Sequence, residues 1–250
     1  MTKTVKDALA DISKNVISTG FFDKIRITAE PKTTLIEAID KDKQVILKGQ
    51  TLEPVQDFAG TFGLSNLQLL TSITSDSEYN HKDSVIELVM EQRDGADVPS
   101  ELHYTNKSAS FIKYRFLGAS MSPDQPKYVE PKWDVKVKPM KSRIQQFNWA
   151  ANSLSQYESY FYPRTVDGEL KFFIGEENAA SQRGGVVFAT DVVGDFDSAT
   201  HKWSIAHVSN ILKLTDTADS EMALSTKGAI QITLNTGVST FRYIFPAKLK

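Results

Sequence analysis

Cysteine is absent from this chain of 250 residues. Its absence excludes disulfide bonds, thiolate metal sites and cysteine nucleophiles, and it fits a reducing compartment. Long apolar runs are also missing, since no stretch approaches the roughly 20 consecutive apolar residues that cross a bilayer. The first seven residues lead directly into an amphipathic pattern with acidic side chains, unlike a secretory signal. We therefore expect a soluble protein in the cytoplasm.

A strong charge imbalance is missing as well. The net charge is −2, which is too near neutral for a protein that coats nucleic acid. Residues 1–125 contain 14 basic and 18 acidic side chains, whereas residues 126–250 contain 15 and 13. Any contact with DNA must therefore come from a local basic surface, and the basic excess lies in the second half.

Motifs that carry catalysis are scarce. Asp191, Asp195 and Asp197 lack the spacing of a calcium loop and indicate a polar turn between strands. The glycines form neither a phosphate-binding pattern nor a nucleophile elbow. No histidine has a partner at the i, i+4 spacing of a helical metal pair; the four are His81, His103, His201 and His207. We expect no metal site, no cofactor and no enzymatic activity.

The chain opens with apolar residues that recur at steps of three and four, which predicts a helix over residues 4–18 that ends at Gly20. These residues are Val5, Leu9, Ile12 and Val16. A second, shorter helix is predicted at residues 64–73, with Ser65 or Asn66 near its N-cap. Alternating runs predict antiparallel strands in the rest of this half. The predicted strands cover residues 22–28, 34–39, 44–47, 84–91 and 111–117.

The second half repeats this order. A long helix is predicted at residues 141–155, a short helix near residues 208–214, and a hairpin at Asn235-Thr236-Gly237. Predicted strands cover residues 169–174, 185–192, 229–234 and 239–245. Residues 64–69 read Leu-Ser-Asn-Leu-Gln-Leu and residues 208–213 read Val-Ser-Asn-Ile-Leu-Lys. These hexamers are 144 residues apart and the long helices 137, which indicates a duplicated α+β domain.

Between the halves lies a segment with little helical periodicity. Residues 118–139 contain four prolines, namely Pro123, Pro126, Pro131 and Pro139. The segment also has more apolar residues than a free tether, so we expect an extended strap that lies against the surface. We predict an N-terminal domain at residues 1–117, a connector at 118–139 and a C-terminal domain at 140–250.

The long helices carry polar faces opposite their apolar stripes. On the first helix that face has Lys3 and Lys14, while Lys6 lies to one side, and Asp7 and Asp11 interrupt these basic residues. On the second long helix it has basic and amide side chains and no acidic residue before Glu158. Its members, together with one residue of the short helix, are Lys141, Arg143, Gln145, Asn148, Asn152 and Lys213. Two such helix pairs side by side could contact a phosphate backbone, although any solvated helix face carries lysines. Trp149 also lies on the polar side.

Three stretches of this sequence resemble the ring-shaped DNA sliding clamps, specifically the two-domain kind of T4-like bacteriophages and, more distantly, the proliferating cell nuclear antigen. They are the opening helix 6–16, the helix 209–214 and the closing run 243–249. The resemblance implies an α+β DNA-clamp fold with two helices packed on antiparallel sheets in each domain. It also implies a head-to-tail homotrimer that encircles double-stranded DNA, tethers a DNA polymerase for processivity and is placed by a clamp loader.

The resemblance further implies a groove for partner peptides beside the connector and the C-terminal tail. At matching positions the connector contributes Tyr128, Val129 and Trp133, and the tail contributes Phe245, Pro246 and Ala247. These residues could equally hold the strap on the body of the protein. Two other functions stay open: a β-rich structural or carbohydrate-binding phage module, and a duplicated enzyme with a cleft between its halves.

Overall fold

The computed structural model describes residues 4–79, 81, 83–93, 95–175, 182–198 and 200–249. The chain divides into two compact units: unit 1 comprises residues 1–127 and 236–241, and unit 2 comprises residues 128–235 and 242–250. The division after residue 127 falls within the predicted connector, and the predicted domain bounds stay a prediction. Each unit is described by itself.

Unit 1 contains two α-helices, α1 (Val5–Asn15) and α2 (Leu67–Ser75). The first begins at a capping box, in which the Asp7 backbone N–H donates to Thr4 Oγ1 at 3.1 Å and the Thr4 N–H donates to Asp7 Oδ2 at 3.1 Å. A 3-10 turn at Ile17–Thr19 follows and ends at Gly20, whose φ of 70° is left-handed. A second 3-10 turn spans Ala119–Met121. The predicted first helix is therefore confirmed but ends earlier.

Eight strands of unit 1 form antiparallel sheets. In one, hydrogen-bonded neighbours follow the order β8-β4-β1-β2-β3, and in the other the order is β5-β6-β7. The strands are β1 (Ile25–Glu30), β2 (Thr33–Ile39), β3 (Ile46–Thr51), β4 (Gly60–Leu64), β5 (Val85–Arg93), β6 (Ala96–Thr105), β7 (Phe111–Arg115) and β8 (Leu117–Gly118).

Unit 2 contains the other pair of helices, α3 (Lys141–Leu154) and α4 (Ile205–Leu212), and a 3-10 turn at Lys213–Thr217. Its hydrogen-bonded strand orders are β12-β11-β10-β13-β17 and β15-β14-β9. A further strand, β16, runs through the boundary into unit 2. The strands are β9 (Val135–Val137), β10 (Tyr160–Val166), β11 (Glu169–Ile174), β12 (Gly184–Ala189), β13 (His201–Ser204), β14 (Asp219–Ser225), β15 (Ala229–Asn235), β16 (Ser239–Pro246) and β17 (Lys248–Leu249).

A phenylalanine cluster fixes α3 on its sheet. The Phe147 ring lies edge-on to Phe161 and Phe172, with ring centroids 5.2 Å apart in both pairs. Phe172 in turn stacks on Phe188 at 4.2 Å. All four rings are fully buried. Burying rings of this size holds the apolar stripe of α3 inward, so its opposite face must remain outside.

Both units present a long helix, strands, a short helix and strands, which confirms the α+β class. Val5 and Lys141 begin the long helices 136 residues apart, and Leu67 and Ile205 begin the short helices 138 residues apart. The hexamer alignment, however, is wrong. Ser65 and Asn66 precede α2, whereas Ser209 and Asn210 lie inside α4. The letters match at positions that the fold does not make equivalent.

Several strand predictions are also shifted or missing. The strand predicted at 44–47 starts at Ile46, because the Asp40 carboxylate accepts the backbone N–H groups of Gln44 and Val45 at 2.7 and 2.6 Å and holds them in the turn. Strand β6 was not predicted. It contains Pro99, which a shift in register beside Met90 accommodates. Strands β10 and β14 were also missed.

The predicted connector is extended and pinned along its length. In unit 1 the Arg26 guanidinium donates to the Pro123 carbonyl at 3.2 Å, and Gln125 donates to Glu37 at 3.3 Å. In unit 2 the Asp134 carboxylate accepts the backbone N–H and the hydroxyl of Thr226 at 2.7 and 2.8 Å. These bonds hold the pKa of Asp134 below its usual value, and the bond from the backbone N–H has the larger effect. Strand β9 then pairs with β14.

Candidate nucleic-acid interface

The helices α3 and α4 of unit 2 border a polar groove. It has a volume of about 520 Å³. Asparagine, serine and alanine side chains dominate its walls. The lining residues are Asn148, Ala151, Asn152, Ser155, Glu158, Ser159, Ser204, Ile205, Ala206, Ser209, Asn210 and Lys213. We call this the α3–α4 groove.

Basic side chains lie in the first turn of α3 and directly after α4. Lys141 and Arg143 are in the first turn of α3, which has no acidic residue and no side-chain cap. The partial positive charge of the helix N-terminus therefore adds to theirs. Lys213 is exposed directly after α4. The sequence has no acidic residue between Asp134 and Glu158, so this surface is suited to negatively charged phosphates.

The predicted amide residues of α3 differ in depth. Gln145 and Asn152 are exposed, whereas Asn148 is half-buried. The Oδ1 atom of Asn148 is buried without a hydrogen-bond partner, and so is the Ser209 hydroxyl across the groove. A buried polar atom without a partner is unfavourable in the free protein and is a position where a ligand can add a hydrogen bond.

The corresponding surface of unit 1 is less basic. Lys14 is exposed in the last turn of α1, while the Lys6 ammonium donates to Ser84 Oγ at 3.3 Å and lies 5.1 Å from the centroid of the Tyr79 ring. Lys3 lies outside the described residues. Helix α2 contains no basic residue. Unit 1 therefore offers few cations from its helices.

Asp11 does not interrupt the polar face of α1, contrary to the prediction. Its side chain is 8% exposed and accepts hydrogen bonds from Asn15 at 2.8 Å and from Thr236 at 3.0 Å. Only Asp7 remains at the surface, where it belongs to the helix cap. The first helix is therefore less acidic on its outer side than the sequence indicates.

The connector residues named for a partner groove lie in unit 2 with differing exposure. Val129 is 91% exposed. Trp133 is half-buried, and its indole N–H donates to Glu130 at 2.9 Å. Tyr128 is half-buried, with a hydroxyl that has no hydrogen-bond partner. Burial, and to a smaller extent the charge of Glu130, raises the pKa of Tyr128 to about 12. The charge of Arg242 acts in the opposite direction.

Of the tail residues, Phe245 is a core residue. Its side chain is 2% exposed, and its carbonyl accepts the indole N–H of Trp203 at 3.0 Å. Pro246 is exposed, and the Ala247 backbone donates to the Gly228 carbonyl at 2.8 Å. The Phe245 ring is therefore not on a surface that a peptide can reach, because the aromatic side chain faces inward.

The acidic run of unit 2 forms a turn that side chains of β10 hold in place by hydrogen bonds. Asp195 accepts the Thr165 hydroxyl at 2.7 Å, and Arg164 donates to Asp197 at 3.3 Å. Within the described residues, no group of three or more histidine and acidic side chains is arranged to hold a metal ion. No helix in that part of the chain is both long and apolar enough to cross a membrane.

Comparison with known proteins decides the fold. No protein-family model matches the sequence, and no curated protein matches it. Solved structures match over nearly the whole chain. The PCNA of A. fulgidus, with the C-terminal region of FEN-1 bound, has a TM-score of 0.70 at 13% identity and covers 98% of this chain and 96% of its own. The chain has the DNA sliding-clamp fold.

Two further sliding clamps show the same likeness. The PCNA of Thermococcus kodakaraensis has a TM-score of 0.67 at 12% identity and covers 99% of this chain and 98% of its own. The proliferating cellular nuclear antigen of Entamoeba histolytica has a TM-score of 0.65 at 12% identity and covers 96% of both chains. Because both full lengths are covered, the clamp fold accounts for both units of this chain, and the resemblance to sliding clamps is confirmed at the level of the fold.

Three features of this chain were missed or left unexplained by the sequence. Trp149 lies on the exposed side of α3 and is 72% exposed. Strand β7 has one hydrogen-bonded neighbour among the described strands and carries the exposed side chains of Phe111 and Ile112. Strand β12, in unit 2, likewise has one such neighbour. Strand alternation could have drawn attention to Phe111 and Ile112, but no local pattern shows which strands end a sheet.

Proposed function

We propose that this chain is a sliding clamp that encircles duplex DNA as a ring and tethers a replicative DNA polymerase to confer processivity. The observation that supports this most is the likeness to sliding clamps over both full chain lengths. The motif-poor sequence agrees with a binding role, so we also propose that the protein is not an enzyme. We place the clamp in the cytoplasm, that of a host cell if the source is a T4-like bacteriophage.

The ring we propose is a homotrimer joined head to tail. Strands at the ends of the described sheets have a free edge, among them β7 in unit 1 and β12 in unit 2. Such edges carry unpaired backbone N–H and C=O groups that a strand of another chain can complete. Joining β7 of one copy to β12 of the next is a heterologous contact, and such contacts generate closed rings when the rotation between copies closes.

Contact with DNA is assigned to the polar faces of the helices. Lysine, arginine and amide side chains contact phosphates without reading bases, as sliding requires. Since unit 1 offers few helix cations, we propose that unit 2 dominates. The proposed set is Lys3, Lys6, Lys14, Lys141, Arg143, Gln145, Asn148, Asn152 and Lys213.

The polymerase and a clamp loader are the proposed protein partners. The A. fulgidus PCNA was solved with the C-terminal region of FEN-1 bound, so a clamp of this fold binds a segment of another protein. In this chain we assign that contact to Tyr128, Val129 and Trp133 with Pro246 and Ala247. Val129 is the most exposed of them, which suits an apolar contact. Phe245 supports the site from the core.

The test is retention on DNA of different topology. The protein, together with the clamp loader proposed as its partner, is incubated with nicked circular DNA and with the same DNA linearised, and each sample is then washed at high salt. A ring that is topologically linked stays on the circle and leaves the linear ends, and cutting the loaded circle releases it. Equal retention on circular and linear DNA after the wash would contradict the ring, as would a monomer at micromolar concentration in light scattering.

A further inference from the structure

The exposed tryptophan of α3 stands on the polar side of a helix that is anchored by its opposite face. Trp149 is 72% exposed, whereas Phe147 on the inner side is fully buried. An exposed indole ring leaves a large apolar area in water, and tryptophan is enriched on surfaces that contact a partner. Gln145 and Asn152 lie one helical turn to either side of it. The ring is thus an aromatic platform bordered by amides.

Asn152, one helical turn from Trp149, lines the α3–α4 groove, which offers hydrogen-bonding groups that have no partner in the protein. Asn148 Oδ1 and the Ser209 hydroxyl are both buried and unpartnered, and Ser209 is 9% exposed. A carboxamide presents an acceptor and donors side by side, and a hydroxyl can act as either. A phosphodiester group has acceptors only, so it cannot satisfy a carbonyl oxygen such as Asn148 Oδ1.

The charged residues around the groove also distinguish a phosphate from a group with N–H donors. Glu158 lines it, and one oxygen of that carboxylate accepts the backbone N–H groups of Ser159 and Tyr160 at 2.8 and 2.9 Å. A carboxylate in the groove repels phosphate but accepts N–H donors. Lys141 and Arg143 lie outside the groove, in the first turn of α3, whereas Lys213 lines the groove directly after α4. Phosphates are therefore favoured beside these three cations, and a group with N–H donors is favoured beside Glu158.

A nucleobase combines what these positions require. Its flat face stacks on an aromatic ring whatever the sequence, and its pairing edge carries N–H donors and acceptors. In a duplex both are occupied by neighbouring bases and by the paired strand. We propose that unit 2 carries a site for single-stranded DNA, in which an unpaired base stacks on Trp149 and its edge contacts Asn148 and Ser209. This activity goes beyond encircling duplex DNA and needs no closed ring.

The proposal is tested by fluorescence anisotropy with an end-labelled single strand, an abasic strand of the same length and charge, and a duplex. We expect Trp149→Ala to weaken binding of the base-bearing strand by about 5- to 100-fold, because one stacked base is lost. Trp149→Phe, which keeps a ring, should restore most of the affinity. The abasic strand should bind weakly to the wild-type protein and be little affected by either substitution.

A matched control is Tyr157→Ala, which removes another exposed aromatic ring of unit 2 that is not among the groove residues. It should leave affinity for the single strand unchanged. Asn148→Ala should weaken binding of the base-bearing strand by about 2- to 10-fold, as expected for one hydrogen bond. Thermal unfolding of each variant shows whether it is folded, and an exposed position such as 149 should tolerate substitution.

A second measurement uses the wild-type protein alone. A single strand that carries 2-aminopurine should change its emission on binding, because the fluorescent base leaves its neighbours and stacks on Trp149. Equal affinity for base-bearing and abasic strands would overturn the proposal, as would an equal loss of single-strand and duplex binding in Trp149→Ala. A linear single strand binds without a topological link. The result of this test therefore does not depend on the outcome of the ring test.

Discussion

Asp11 is a charged side chain that the first helix turns toward the interior of unit 1. Its carboxylate accepts from Asn15 in the next helical turn and from Thr236, which is 225 residues away along the chain. Burial raises the pKa of Asp11, although the hydrogen bonds from Ser239, Thr236 and Asn15 lower it. The ionised form is therefore less favourable in the folded unit than in the unfolded chain.

This sign leads to a prediction for Asp11→Asn. Because the pKa of Asp11 in the folded state lies above the ordinary value of 3.8, its contribution to stability is most favourable at low pH and falls as the pH rises through the folded-state pKa. Asparagine does not ionise and can still accept from Asn15. The variant should therefore gain free energy of unfolding relative to wild type as the pH rises from about 3 to 7. Urea unfolding at several pH values measures this, and a difference that is independent of pH would contradict it.

Burial on α3 shows how far single residues can be predicted. The helical period correctly identifies Ile144, Phe147 and Ala151 as inward-facing, because the sheet covers one side of the helix. The depth of Asn148 does not follow from the period, since it depends on α4, whose residues lie about 60 positions later. Phe245 is a second case: the resemblance to sliding clamps places it in a groove for partner peptides, whereas the fold places its ring in the core.

At the scale of elements, the two long helices differ in what their outer faces offer. Helix α3 opens with Lys141 and Arg143 and has no acidic residue in its first turn, whereas α1 opens with a capping box that contains Asp7. An acidic cap stabilises a helix N-terminus but cancels its attraction for phosphate. Helix α3 lacks this stabilisation, and its N-terminal turn is positive instead.

We predict that alanine at Lys141, Arg143 and Lys213 weakens duplex binding and reduces its salt dependence. The slope of log affinity against log salt concentration should become shallower by about 0.9 for each lost phosphate contact. Titrations at several salt concentrations give the slope, and light scattering should show an unchanged oligomer.

A matched control removes three other cations of unit 2, each of which already pairs with a carboxylate. Lys136 lies 3.6 Å from Glu221, Lys138 lies 3.6 Å from Asp219, and Lys171 lies 3.0 Å from Glu169. Alanine at these three positions should leave the slope almost unchanged. If both triple variants had the same slope, α3 and α4 would not be the DNA-contacting face.

At the scale of the whole molecule, assembly depends on strand edges. Phe111 and Ile112 on β7 are 68% and 40% exposed. An exposed strand edge that carries large apolar side chains would favour aggregation in a monomer unless another chain covers it. A head-to-tail partner would cover this edge, so the same feature that is unfavourable in one chain favours the assembled ring.

We predict that the double substitution Phe111→Asp and Ile112→Asp converts the proposed trimer into monomers at micromolar concentration, because the contact between copies would have to bury two carboxylates without partners. Light scattering measures the mass. Leu52→Asp, which places one charge at a 52% exposed apolar position of the same unit, should leave the trimer intact. A trimer that persists in the double variant would contradict a contact through β7.

The sequence alone determined the class of the fold and the positions of the four helices, because helical periodicity is local and repeats every three to four residues. It also determined the recurrence of the helices, although the matching hexamers misaligned the short pair. Only the tertiary structure decided which strands have a free edge, that Asp11 and Phe245 face inward, and that Asn148 and Ser209 share a groove beside Trp149. Sheet order and burial depend on residues far apart in the chain, so no local pattern contains them.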